Sequence, residues 1–203
     1  MPETEVKKKG NHGLLIGILI AVVIAGGAVL HHKLGPYHFK VVKPGMLYRS
    51  GWMKPEHEEK IIEKYGIKTV VNLCLPDEEL GANNHSVEAG ICERTGATLV
   101  NIPMPGNTPP TDAQLAEWLG LLYSEPSHPI LVHCAQGAIR TGMMVAVYRI
   151  DYQKEDNATV LKTLDTMGHD IDVPKRQAMK DFILNYKPAG GVPATAGTDA
   201  ESQ

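Results

Sequence analysis

The sequence predicts an α/β fold, a mostly parallel central sheet flanked by helices, behind a single N-terminal transmembrane helix. Three observations carry this. Short apolar runs near residues 46–49, 67–74, 97–102 and 129–134 alternate with stretches whose apolar residues recur every three to four positions. The last run leads through a glycine-bearing turn directly into the apolar helix former Met143 to Ile150. Finally, Gly13 to Leu30 carries no charge and is just long enough to cross a bilayer as a helix.

Composition bounds the rest. A chain of 203 residues with 43% apolar content has room for one domain with an ordinary core plus appendages. The net charge of −3 argues against nucleic acid as a partner. Three cysteines, an odd number, form no disulfide framework and suit a working thiol. The nine histidines show no metal-ligand spacing, and His31-His32 reads as the flank of a membrane segment. No metal or other cofactor is expected.

In order, residues 1–12 are a polar N-terminus with Lys7, Lys8 and Lys9, and 13–30 is the expected transmembrane anchor. Ala25-Gly26-Gly27 would also serve as a signal-peptide cleavage site, although the apolar run continues beyond it. Lysines on both flanks leave the orientation open. Residues 31–43 read as a linker, 44–187 as the catalytic domain and 188–203 as a small, polar, disordered tail.

Within the domain, Gly45 to Gly51 reads as a strand entering a turn, with Arg49 either at the rim of a site or a solvated strand-end charge. Pro55 to Tyr65 is predicted helical, Gly66 to Leu73 a buried strand closed by Cys74, and Val87 to Arg94 an amphipathic helix carrying Cys92 in its core face. Ala97 to Ile102 supplies a strand, Pro103 to Pro110 a stiff loop, and Ala113 to Tyr123 a helix. Two more helices are expected around Asn157 to Met167 and Pro174 to Tyr186, separated by the loop 168–172.

The turn His133 to Gly142 has the makings of an anion site, because amide N–H groups and a positive helix end converge there. The same field stabilises a thiolate, so a Cys134 thiol with a free value of about 8.5 would ionise at neutral pH. Arg140 offers a planar fork matched to two phosphate oxygens, and Thr141 a hydroxyl beside the sulfur.

This decapeptide resembles the signature of the cysteine-dependent protein tyrosine phosphatases: His-Cys, five residues, Arg, Ser or Thr, Gly. The segments Gly45 to Gly51, Pro55 to Tyr65 and Gly66 to Leu73 resemble the opening of the atypical dual-specificity phosphatases of bacteria, plants and fungi. The resemblance runs from about Val41 to Tyr186. It implies Cys134 as nucleophile, Arg140 as phosphate clamp, and Ala135, Gln136, Gly137, Ala138 and Ile139 as the phosphate-binding loop. It also implies His133 as tuner of the thiolate and Thr141 as its partner when the phospho-cysteine breaks down.

In that family the loop at Pro103 to Pro110 usually brings the general acid, but no aspartate stands there. Asp112, the only carboxylate between Glu93 and Glu117, is either that acid or part of a helix cap. Asp77 is a further candidate, and Ile139 occupies the place where some relatives carry an aspartate. Relatives of the tensin-homologue type use a cysteine after a similar Asn-Leu as a redox partner of the nucleophile; Cys74 has that role here or is a small core residue.

The resemblance implies a phosphomonoester hydrolase, a protein tyrosine or dual-specificity phosphatase acting on a phosphorylated protein, and the uncharged stretch 13–30 is expected to anchor it in a membrane. The alternative is a phospholipid phosphatase, of phosphatidylglycerophosphate or phosphoinositide type. Absence of a basic residue between Cys134 and Arg140 counts against highly phosphorylated inositols, whereas anchoring counts for lipids. A phosphate-binding pseudophosphatase and a rhodanese-like sulfurtransferase are the remaining rivals; Thr141-Gly142 and His133 speak against the latter.

Overall fold

The computed structural model describes residues 16–22, 36–78 and 85–189. The chain divides into two compact units, Met1–Gly35 and Pro36–Gln203. In the first, residues 16–22 are helical, with Ile16, Ile18, Leu19, Ile20 and Val22 exposed. This corrects the expectation of a membrane-spanning anchor over 13–30 and of a single-pass membrane protein. No helix among the described residues is long and apolar enough to cross a membrane. The polar N-terminus and residues 190–203 of the expected tail lie outside the described residues.

The second unit holds a five-stranded sheet. Its strands are β1 (Lys40–Lys43), β2 (Leu47–Gly51), β3 (Thr69–Asn72), β4 (Thr98–Asn101) and β5 (Ile130–Cys134), in the order β1-β2-β5-β3-β4. Neighbours among β2, β5, β3 and β4 are parallel, and β1 is antiparallel to β2. β1 falls inside the expected linker 31–43. Its two valines between lysines are too short a pattern to announce a strand, and it forms by pairing Lys40 with Arg49 and Val41 with Tyr48 at the sheet edge.

The central strands are buried on both faces, as parallel strands covered by helices must be. Side chains alternate along them. Tyr48, Val70 and Leu131 pack with Ile61, Ile62, Ile91 and Cys92 of α1 (Pro55–Tyr65) and α2 (His85–Thr95). Leu47, Val71, Ile130, Val132 and Cys134 pack on the other face with Trp118, Leu119 and Leu122 of α3 (Asp112–Leu122) and Met144 and Val147 of α4 (Ile139–Val147).

Local chemistry sets the helix ends. Pro55 opens α1 where a missing N–H costs nothing, and Gly66, at φ +59°, closes it by donating to Glu63 and Ile62 carbonyls. Thr111 and Gln114 form a reciprocal capping box on α3. Every residue of α4 is buried, because its second face packs with Val160 of α5 (Asn157–Lys162) and with Met179 and Ile183 of α6 (Gln177–Asn185). α5 stops short of the expected Met167, and Pro174–Arg176 forms a separate 3-10 turn before α6.

Since β5 lies between β2 and β3 while the chain passes from β2 to β3 through α1, the carboxyl end of β5 opens into a crevice between diverging connections. That is where sites gather in such sheets.

Candidate active site

At the end of β5 the chain makes a tight loop whose carbonyls are all tied on the outside. Trp52 N–H donates to Ala135 O at 3.1 Å, His38 Nδ1 lies 2.6 Å from Gln136 O, and Arg49 Nη2 donates to Gly137 O at 2.5 Å and to Ala138 O at 3.3 Å. A trans peptide points its N–H opposite to its C=O, so fixing four successive carbonyls outward turns the amides of Gln136 to Ile139 inward. Those amides and the N-terminus of α4 face one spot.

Gly137, at φ +65°, is obligatory here. A Cβ would collide with the Ser50 carbonyl and the Gly51 amide on top of the strain of a left-handed backbone. Arg49, buried at 3% exposure, is itself held by donating to Asp165 O at 2.9 Å, and the Asp165 carboxylate accepts from Lys40.

Burial opposes ionisation of Cys134. The Thr141 hydroxyl, the Arg140 charge and the amides of Thr141 and Gln136 outweigh it and hold the thiol below its ordinary value. Thr141 Oγ1 is buried with no nitrogen or oxygen partner among the described residues, which leaves its proton for the sulfur.

Arg140 is braced by Glu78, which accepts from Nη1 at 3.0 Å and Nη2 at 2.8 Å, while Nη1 also donates to Leu73 O and Met104 O, both at 3.1 Å. Burial disfavours its charge, but Glu78 and the cysteines hold it fully protonated. The Nε–H and one Nη2–H on its remaining edge form a fork for two oxygens of an anion.

His133, one residue before Cys134, points to the opposite face of the sheet. Its Nε2 is 2.6 Å from Glu88 Oε1, and both side chains are essentially inaccessible. Asn72 Nδ2 donates to Glu88 Oε2 at 2.6 Å, and Glu58 completes the group. Donor atoms of Glu58, Glu88 and His133 lie within 4.8 Å of one another, the one such metal-type set among the described residues. Two ligands of a tetrahedral ion stand about 3.3 Å apart given bonds of about 2.0 Å. The direct 2.6 Å contact is therefore an ion pair.

The predicted residues are only partly gathered. Cys134, Arg140, Thr141 and the loop Ala135 to Ile139 converge, with His133 behind them. Cys74, buried at 1%, feels the charges of Arg140 and Cys134 and bonds Glu78; burial pushes its thiol well above the ordinary range. Asp112 is exposed at the first turn of α3 and lines a groove with Leu115, Leu119, Phe182 and Tyr186, none of which belongs to the cysteine loop. Asp77 is exposed.

Arg49 is neither a rim residue nor a solvated charge but the brace of the loop. Glu78, Glu88 and Glu58 escaped the sequence reading. For two of them a signal existed: Glu58 precedes Ile61 and Ile62, and Glu88 precedes Ile91 and Cys92, by three and four residues, which sets each acid on the buried stripe of its helix.

Residues 45–181 match a family model described as DSP-PTPase phosphatase fused to NAD+ kinase. Inositol diphosphatase DSP3 of Arabidopsis thaliana is 33% identical over 121 residues, 56% of this chain and 54% of that protein. Protein tyrosine phosphatase PRL-1 of Trypanosoma cruzi is 26% identical over 136 residues, 64% of this chain and 69% of that protein. The chain thus spans about half the length of the first of these relatives.

Among solved structures, the core catalytic domain of the PP-IP phosphatase SIW14 from S. cerevisiae superposes with a TM-score of 0.60 at 24% identity, covering 75% of this chain and 87% of that one. TpbA from P. aeruginosa, in complex with pTyr, superposes with a TM-score of 0.55 at 21% identity over 75% and 91%. At these identities the likeness shows the fold.

Proposed function

The chain belongs to the DSP-PTPase family of cysteine-dependent phosphatases, and on that premise we propose that it hydrolyses phosphates with good leaving groups, aryl phosphates such as phosphotyrosine first. The observation that supports this reading most is the pairing of a stabilised Cys134 thiolate with the braced Arg140 fork across a loop whose amides turn inward.

Cys134 sulfur attacks phosphorus and forms the S–P bond as the P–O bond to the leaving group breaks. The three equatorial oxygens rest on the amides of the loop and on Arg140. Water then attacks phosphorus, the S–P bond breaks, and the Thr141 hydroxyl stabilises the departing thiolate.

No aspartate stands in the Pro103 to Pro110 loop, and Asp112 sits among groove residues of α3 and α6. A leaving oxygen of low basicity departs with little proton transfer, so weak acid catalysis selects aryl esters over alkyl esters. A second reading satisfies the same condition: a diphosphate carried on an inositol, whose leaving group is itself a phosphate. The relation to inositol diphosphatase DSP3 favours it, while the uncharged residues Ala135 to Ile139 favour the aryl ester. The phospholipid reading drew its weight from a membrane tether, and no helix among the described residues is long and apolar enough to supply one.

Cys74 is proposed as the redox partner of the nucleophile. Peroxide converts the Cys134 thiolate to a sulfenic acid, and the Cys74 thiol condenses with it, forming the S–S bond and releasing water.

The test is a panel of phosphotyrosine peptide, phosphoserine peptide and an inositol diphosphate, with Cys134→Ser as control. Hydrolysis of the first, or of the first and third, with loss of at least about 10⁴-fold in the variant, is the expected result. Preference for phosphoserine, or activity surviving Cys134→Ser, would overturn the reading.

A further inference from the structure

Behind the nucleophile lies a buried charge cluster that the reaction just described does not use. The twofold period of β5 turns Cys134 toward α3 and α4 and His133 toward α1 and α2. On that far face each of the two helices presents one acid from its apolar stripe, Glu58 from α1 and Glu88 from α2, at 3% and 1% exposure. Glu88 meets the His133 ring through one carboxylate oxygen at 2.6 Å and Asn72 Nδ2 through the other at 2.6 Å. Asn72 in turn accepts the Cys74 N–H at 2.8 Å, which ties the cluster to the end of β3. The Trp52 ring, 5.9 Å from the imidazole, covers it.

The other titratable groups facing this cluster are Cys134, Cys92 of α2 and His85, whose Nδ1 is 3.4 Å from Asn72 Nδ2. A dry interior does not hold two adjacent carboxylates both ionised, and it does not hold an imidazolium without a counter-ion. A protonated Glu58, an ionised Glu88 and a charged His133 satisfy both conditions, and the 2.6 Å contact favours them over a neutral ring, which would leave the buried Glu88 charge without a cation. Burial and then Glu88 raise the Glu58 carboxyl to about 8. Burial pulls His133 down, but Glu88, Glu58 and the Cys134 thiolate raise it to about 9. Interaction between two titrating sites is reciprocal, so whatever the thiolate does to favour the imidazolium, the imidazolium does to favour the thiolate.

We infer that Glu88 is a positioning residue for the nucleophile: by holding His133 charged on the far face of β5, with Glu58 keeping the neighbouring proton, it fixes one positive charge behind Cys134. The inference rests on Cys134 being the nucleophile and on no particular substrate.

The experiment follows the rate of Cys134 carboxamidomethylation by iodoacetamide against pH in the full chain, read by peptide mass, for wild type, Glu88→Gln and Glu88→Asp. Glu88→Gln is expected to move the midpoint up by about one pH unit, a roughly tenfold slower reaction on the acid side, and Glu88→Asp to restore most of it. An unchanged midpoint in a folded Glu88→Gln chain overturns the inference. If that variant does not fold, the His133 ring in wild type decides by NMR: an imidazolium from pH 6 to 8 supports the inference, and a neutral ring at pH 7 overturns it. Alkylation needs no substrate. A chain that alkylates as expected but hydrolyses none of the panel would fail the proposed function and leave this inference standing.

Discussion

Cys134 and Cys74 sit at the carboxyl ends of neighbouring parallel strands, are 3% and 1% exposed, and both feel the charge of Arg140. Their thiols are nonetheless driven in opposite directions. Burial raises both. At Cys134 it is outweighed by donors aimed at the sulfur, the Thr141 hydroxyl first and the amides of Thr141 and Gln136 with the Arg140 charge. At Cys74 only Arg140 pulls downward, while Cys134 and Glu78 add to the effect of burial. A reactive cysteine is thus made by convergent donors at the end of a strand, and a nearby guanidinium alone does not make one.

The largest test of that contrast replaces the fork and keeps the charge. Arg140→Lys retains a cation near both sulfurs but loses planar bidentate contact and the brace from Glu78. Turnover of an aryl phosphate is expected to fall roughly 10²- to 10³-fold, and Cys134 alkylation at neutral pH by less than about tenfold. Equal losses in both assays would show that the thiolate depends on the guanidinium fork itself, and not on the Thr141 hydroxyl and the loop amides.

A second test separates the two faces of β5 by their response to pH. His133 rises from 6.5 to about 9 on folding and Glu58 from 4.5 to about 8, so the folded chain binds the extra protons. That stability is complete below the unfolded values and is lost as pH climbs through the folded ones. The lowered Cys134 thiol acts with opposite sign, adding stability as pH rises toward 9. In Cys134→Ser, where this opposing contribution is gone, urea unfolding is expected to show stability falling by roughly 1 to 3 kcal/mol between pH 6.5 and 9. Wild type should fall less. A flat profile in the variant would show that the far face is uncharged.

The smallest expected effect on turnover is at Cys74. Cys74→Ser should leave turnover within about twofold, yet change the product of peroxide treatment from a disulfide to over-oxidised Cys134 on mass spectrometry. Identical oxidation products in variant and wild type would return Cys74 to a purely packing role.

What the sequence made legible was whatever depends on near neighbours. The four parallel strands, the helices after Pro55 and Thr111, and the Cys134 to Gly142 turn all announce themselves within ten residues, through apolar period, caps and glycine. β1 did not, because its only argument for being a strand is β2 beside it. Glu78 was invisible for the same reason: it becomes part of the site by meeting Arg140 across 62 positions. Glu58 and Glu88 were visible only as misplaced charges on apolar stripes, and their partner His133 seemed explained by the signature alone. The transmembrane expectation failed differently. Apolar content without charge measures only what a stretch could do in a bilayer, and no helix among the described residues is long and apolar enough to cross one.

The outward tethering of the loop carbonyls has one further consequence. Trp52, His38 and Arg49 hold the loop by its outward carbonyls, and Leu73 and Met104 hold Arg140 through main-chain oxygens that almost any residue supplies. The shape of the cradle therefore asks nothing of the side chains at its mouth. Residues that supply none of these contacts can be exchanged without unbuilding it, so the cradle can stay constant while the surface around it varies.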